Sequence, residues 1–463
     1  MKKESKILIA IIIILVIILV ILSYFLIFKN STESNITNNP NLSEENNQER
    51  MPMGDPPDGM PGGSSTNVES KGATEITENK TLESGTYTSE TSDENAILVK
   101  EKAEVTLENI EVSKTGDSDG GDSTSFYGTN SAILAKDGAN LTIKNAKITT
   151  NANGANGVFC YGGSATTNNS NSDGTTVTIS DSEITTTKNN AGGIMTTGGG
   201  TTIAKNLTIN TAGTSSAAIR TDRGGGTVTV DGGTYTTTGK GSPSIYSTAD
   251  VTVNNAILNS KASEGIVIEG KNSVTLNNCE LTDSNTTLNG QSTTYKNVFL
   301  YQSMSGDAAE GNAEFTANDT QIVTNNGDSF YVTNTSAIIN LKNNTIINND
   351  SEGNFIRIQK DSWGKSGANG GSVTLTMQNQ KVNGNVVVDS ISTLSMTLKE
   401  NSYFEGKINS ENTAKELTFK LDSSSKIKLT GDSYITSLED EDTSYSNIDF
   451  NGYKLYVNGV AIN

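Results

Sequence analysis

One eight-residue phrase recurs down most of the chain, and it restricts the possible folds more than any other feature. VTLENIEV begins at Val105, LTIKNAKI at Leu141, VTISDSEI at Val177, VTVDGGTY at Val228, VTVNNAIL at Val251 and VTLNNCEL at Val274. Weaker copies are read from Thr201, Ala313, Ile339, Val373, Leu394 and Leu417, which makes about twelve. Successive copies lie about two dozen residues apart in the short cases and about three dozen in the long ones. A phrase of this length and period is one turn of a coil that must stack on its neighbours to bury its apolar side.

Within VTISDSEI, Val177 and Ile179 are apolar and Thr178 between them is polar, the alternation of a half-buried strand. The fifth position holds Asn, Asp or Gly (Asn109, Asn145, Asp181, Gly232, Asn255, Asn278, Asn343), types that accept a left-handed backbone. The sixth is mostly small (Ala146, Ser182, Gly233, Ala256, Cys279) and the eighth is large again (Val112, Ile148, Ile184, Tyr235, Leu258, Leu281). Strand, bend, strand predicts an all-β fold, a parallel β-helix of about twelve coils, right-handed because parallel crossovers take that hand. Like residues then stack in files, with Thr at 106, 142, 178, 202, 229, 252, 275 and 374 and Asn at the bends. Residues 73–435 are assigned to the coils and 436–463, with two Asn-Gly turns, to a C-terminal β cap. Residues 73–104 are expected to close the near end.

Ahead of the coils, residues 7–28 are an almost unbroken apolar run, roughly 33 Å long as a helix and sufficient to cross a bilayer. Lys2, Lys3 and Lys6 precede it, which places the amino end in the cytoplasm and everything after it outside the cell. A cleaved signal peptide is the alternative. Its apolar core is normally about 7–15 residues and a small-x-small site follows it; neither holds here, which favours an uncleaved single-pass anchor in residues 1–29. Residues 30–72, rich in Asn, Ser, Glu, Pro and Gly, read as a flexible tether.

Composition removes several chemistries. The chain contains no histidine, so imidazole-based nucleophilic catalysis and histidine-bound zinc are excluded. A net charge of −19, with Arg50, Arg220, Arg223 and Arg357 as its arginines, argues against a nucleic-acid partner. Cys160 and Cys279 fall about five coils apart, beyond disulfide reach, and read as small core residues.

Between the phrases a second strand recurs, for example SAIL at 131, GVFCY at 157, AAIR at 217 and NVFLY at 297. With Ile133, Val158, Ile194, Ile219, Ile245, Ile266, Val298, Phe330 and Ile356 turned inward, the outward file becomes Leu134, Phe159, Met195, Arg220, Tyr246, Val267, Phe299, Tyr331 and Arg357. Two residues further on stand Tyr161, Asp222, Glu269, Tyr301 and Gln359. Two readings remain open for this ladder. Either the rings stack on sugar faces while Arg220, Asp222, Glu269 and Arg357 bond hydroxyls or carboxylates, or the insertions at 116–128, 162–174 and 288–297 fold over it. Arg220, Asp222 and Arg223 in AAIRTDRGGG form a local cluster, read either as a binding group or as an ion pair that steadies a Gly-rich turn. Asp222 and Glu269, about 9.5 Å apart if two coils separate them, are the alternative catalytic carboxylates, with Arg220 to hold a uronate. Asp117, Asp119 and Asp122 are a weak Ca²⁺ candidate: their spacing does not fit an EF-hand, and a solvated acidic loop explains them as well. No other cofactor is indicated.

The coil phrasing, the Asn files, the GMPGG tether and the segments DENAILV, AAIRTDRGGGTVTV and EGIVIEGKNSVTLNN resemble pectin-lyase-like parallel β-helix proteins. More closely, the chain is similar to surface proteins of Firmicutes described as adhesin-like or carbohydrate-binding. The resemblance covers about residues 73–463. It implies a surface protein that binds a glycan or a ligand on a host or neighbouring cell. Polygalacturonase-like members use a His-Gly motif, and pectate-lyase-like members a Trp-x-Asp-His segment and an Arg-x-Pro-x-x-Arg motif, all absent here. An adhesin or glycan-binding rod is therefore expected, with a polysaccharide lyase or inverting hydrolase, or a purely structural envelope protein, as the alternatives.

Overall fold

The computed structural model describes residues 68–118, 121–164, 172–290 and 292–463. The apolar run 7–28, nearly all of the tether and Asp119 lie outside them. Among the described residues, no helix is long and apolar enough to cross a membrane.

These residues form an all-β parallel solenoid. Val105 pairs with Leu141 and Leu141 with Val177, while Val228, Val251 and Val274 stack likewise, every pairing parallel. The second recurrent strand builds a twelve-stranded sheet that starts at Lys71–Ile76 and ends at Val386–Val388. Apolar residues of both sheets fill the space between them. One internal file of rings runs Phe315, Phe330, Phe355, Phe404, with centroids 5.7, 5.5 and 6.5 Å apart.

The strong copies of the phrase stack as expected, and Ile339 stands opposite Phe315. The remaining weak copies begin one or two residues away from the positions the sequence pattern predicts. Opposite Val177 stands Thr202 rather than Thr201, and opposite Val274 stands Phe315 rather than Ala313. The next three copies begin at Leu375, Met396 and Phe419 rather than at Val373, Leu394 and Leu417. Slips of two residues are harmless because side chains alternate with period two, so Ala313, Val373, Leu394 and Leu417 are still buried. The slip of one reverses the face. Thr202 points inward, and the outward Thr file holds Ile203, 45% exposed, in its place. Thr374 is likewise outside that file, where Thr376 stands.

The bends follow the sequence closely. Asn109, Asn145, Asp181, Asn255, Asn278, Asp319, Asn343 and Asn379 have φ between 45° and 55°. Their carboxamides bond from coil to coil, Asn278 donating to Asn255 at 2.8 Å and Asn343 to Asp319 at 2.6 Å. The left-handed bend interrupts the backbone ladder, and the sixth-position side chain of the following coil repairs it. Ala146 N–H donates to Ser182 Oγ (2.9 Å), Thr320 N–H to Asn344 Oδ1 (2.9 Å) and Asn344 N–H to Gln380 Oε1 (2.8 Å).

A buried polar file at the next corner was not anticipated. Thr150, Thr186, Thr211, Thr237, Ser260, Asp283 and Thr324 stack in register, all at most 2% exposed. The hydroxyls of Thr186, Thr211, Ser260 and Thr324 tie one strand to the start of the next, as when Thr211 Oγ1 donates to Ser216 O. Asp283 is the carboxylic acid in this file, and burial pushes its pKa up to about 7 despite hydrogen bonds from the backbone N–H groups of Asn285 and Asn325. The folded protein therefore holds this proton more tightly than the unfolded chain, so the acid destabilises the fold increasingly as pH rises from about 4 to 7, and by a constant amount above. Asp283→Ser, matching Ser260 below it, should raise stability by about 2 kcal/mol at pH 8 and by almost nothing at pH 4. Urea unfolding at both values checks this; an equal effect at the two would refute it.

At the near end, residues 73–104 are already part of the coil, with Lys71–Ile76 beside Glu94–Val99 and Lys80–Leu82 beside Glu104–Glu108. At the far end, Ser437–Asp440 still pairs in parallel with Glu416–Leu421. Among the described strands the one antiparallel pairing joins Leu455–Val457 to Val460–Ala461. Asn458 and Gly459, at φ 48° and 79°, turn this hairpin.

Candidate functional site

Side-chain register brings the expected outward ladder together: Phe159 pairs with Met195, Met195 with Arg220, Arg220 with Tyr246, Val267 with Phe299, Phe299 with Tyr331 and Tyr331 with Arg357. The ladder is not an open groove. Phe159 and Tyr331 are fully buried, Phe299 is 3% and Tyr301 9% exposed, and Tyr161, Arg220, Tyr246 and Arg357 are half-buried. Stacking of these buried rings on a sugar is ruled out in this arrangement, and the reason is the insertions.

Helix α1 (Gly121–Tyr127), within the first insertion, lies over one end. Thr197 Oγ1 donates to Phe126 O (2.7 Å), the Arg223 guanidinium sits 4.0 Å from the centre of the Phe126 ring, and Tyr127 meets Tyr161 edge to face at 5.4 Å. Beneath it, Leu98, Leu134, Phe159 and Met195 form an apolar cluster separate from the main core. A second cluster, Val267, Phe299, Tyr301 and Tyr331, is roofed by Trp363, whose ring lies 5.3 Å from both Phe299 and Tyr301. Sequence reasoning missed Trp363 and the loop that carries it. A lone tryptophan in the polar stretch QKDSWGKSGAN was the available signal.

Between the two clusters the polar residues form a closed network. Arg220 bonds Asp222 at 3.0 Å, as a local pair, but Arg223 reaches instead to Asp307 at 2.7 Å on the strap 302–311. Glu269, 1% exposed, accepts hydroxyl hydrogen bonds from Tyr246, Tyr301 and Ser303. Burial, and next the charge of Glu269, push the Tyr246 and Tyr301 hydroxyls well above the usual tyrosine range. Burial raises Asp222 to about 6; Arg220 opposes the rise, and Asp307 and Glu269 add to it. Asp222 and Glu269 therefore sit in a sealed layer and do not face each other across a cleft open to substrate, as the hydrolase alternative requires. Arg357 is held by Asp328.

Asp117 spends its carboxylate on the backbone N–H of Asn153 at 2.7 Å, and Asp122 is exposed in the first turn of α1. Among the described residues no group of three acidic, Cys or His side chains converges to hold a metal ion.

Open concavities lie on another wall, along the Asn file. One stretch, of about 670 Å³, is lined by Asn109, Glu111, Asn145, Lys147, Asp181 and Glu183 among others. A second, of about 600 Å³, repeats the pattern with Asn255, Asn278, Glu280, Asp319, Gln321 and Asn343. Its floor is the bend. Its side is the seventh position of the phrase, polar in most copies (Glu111, Lys147, Glu183, Glu280, Gln321), because that residue points outward just after the turn. Carboxamides and carboxylates thus recur at coil spacing, about 4.8 Å.

Compared with family models, curated proteins and solved structures, the chain matches none. Fold and groove define its class: an all-β parallel solenoid with a polar groove along its bends.

Proposed function

We propose that this protein is a membrane-anchored, right-handed parallel β-helix, displayed outside the cell, that binds a linear glycan without chemically changing it. The apolar run 7–28 and the polar tether after it support the anchored topology. The observation that carries the reading is the groove beside the Asn file, where the same polar residue types return in two separate stretches. Repetition at coil spacing allows many individually weak hydrogen bonds to act on one polymer, so affinity grows with the number of coils engaged. The ligand-binding role moves from the sealed aromatic ladder to this groove.

The test is a glycan array probed with the full chain in detergent, followed by titration of any hit. Glu183→Lys, Glu280→Lys and Gln321→Lys together should weaken binding at least about tenfold, roughly 1.4 kcal/mol, while leaving the melting temperature unchanged, because all three side chains are exposed. Binding that survives the triple variant, or an array that stays blank, rejects the reading.

A further inference from the structure

Lys296 and Glu264 stand on successive coils of the twelve-stranded sheet, each two residues before a directly paired residue, Val298 and Ile266. The Lys296 side chain is 0% exposed and that of Glu264 6%, with Nζ 3.8 Å from Oε1. That separation is too long for a direct hydrogen bond. The Lys296 Nζ bonds neutral oxygens instead, Ser292 Oγ at 3.0 Å and Thr294 O at 2.9 Å. Phe299 and Tyr331 roof it, their ring centres 4.4 and 4.9 Å away. Asp328, its register partner on the other side, has its carboxylate engaged by Asn354 and Arg357. Glu264 Oε2 is oriented by the Ser263 hydroxyl at 2.6 Å.

An amine and a carboxyl are thus held side by side, away from water. Burial lowers the Lys296 pKa and so favours the neutral amine. Passing one proton from the ammonium to the carboxylate leaves a free amine facing a carboxylic acid, the two partners of a condensation. We propose that Lys296 and Glu264 join in an amide cross-link between neighbouring coils. The Nζ lone pair attacks Cδ of the protonated carboxyl, the new N–C bond forms, and the C–OH bond breaks. The hydroxyl departs with one amine proton as a single water. No oxidant, reductant or co-reactant is consumed. Fixed proximity, with effective molarities that reach about 10⁵ M or more in oriented pairs, drives a reaction that free amines and acids in water do not complete. The exclusion of bulk water also opposes the reverse hydrolysis. The bond staples coil to coil beneath the aromatic roof, independently of the groove.

Intact-mass measurement of the full chain decides the matter. The cross-linked protein is one water lighter than its sequence, resists trypsin at Lys296, and yields a branched peptide joining the Glu264 and Lys296 segments. Lys296→Met restores the full mass. Glu264→Gln forms the same amide but is one ammonia lighter than its own sequence, a signature that a merely structural ion pair does not produce. A wild-type protein at full mass, cleaved by trypsin after Lys296, overturns the proposal and leaves a buried ion pair; this measurement needs no variant to fold.

Discussion

Asp328→Ala is expected to destabilise the solenoid by about 3–5 kcal/mol, among the largest effects of any single polar substitution in it. Asp328 is 1% exposed. One of its oxygens accepts both the backbone N–H and the side-chain amide of Asn354, at 2.8 and 2.7 Å, and the other holds the Arg357 guanidinium. Alanine leaves three donors without their acceptor: the two of Asn354 face a dry interior, and the third belongs to the charged, partly exposed Arg357. Asp328→Asn keeps the volume and one acceptor, so it should cost clearly less. Thermal unfolding of both variants at neutral pH measures the difference; equal losses would mean that the retained acceptor contributes nothing and the charge carries the whole effect.

Phe330→Ala should cost a comparable amount, about 3–5 kcal/mol, by a different route. The ring is fully buried and packed between Phe315 and Phe355 at 5.7 and 5.5 Å. Coils above and below are pinned by their backbone ladders, so the space cannot collapse and an empty cavity remains. Phe330→Leu, which fills most of that space, should recover more than half of the loss. Denaturant titration of the pair checks this, and a wild-type midpoint for the alanine variant would show that the file of rings is not a packed core.

Asp328 and Phe330 also show how legibility divided. Phe330 was placed inward from the alternation of SFYV alone, and register bears this out from Ile133 to Ile356. Alternation is a local property, so eight residues suffice to read it. The role of Asp328 depends on Arg357, a whole coil later in the sequence, and local pattern does not reach that far. The same limit explains Arg223. Beside Asp222 it reads as a local ion pair, yet its partner is Asp307, which arrives on a strap inserted after the ninth strand of the twelve-stranded sheet.

The aromatic ladder divides in the same way. Its membership was legible in full, because the inward residues define the outward ones. Whether it was open was not legible, because insertion length says nothing about where a loop lands. Trp363 and Phe126 decided that by landing on it. The groove was present in the phrase itself, in Glu111, Glu183 and Glu280 at the seventh position, but it becomes a concavity only when the bend angle is known.

From the amino-acid order alone came the parallel coil, its bends at Asn and Asp, the inner and outer files and the apolar run near the amino end. All of these rest on short-range rules: period-two alternation, tolerance of positive φ, and the length of an apolar run. Tertiary structure alone decided the covering of the rings, the sealing of Asp222 and Glu269, the meeting of Lys296 with Glu264 and the position of the open groove. Each of those depends on contacts between residues on different coils or insertions, which only the stacked chain brings together.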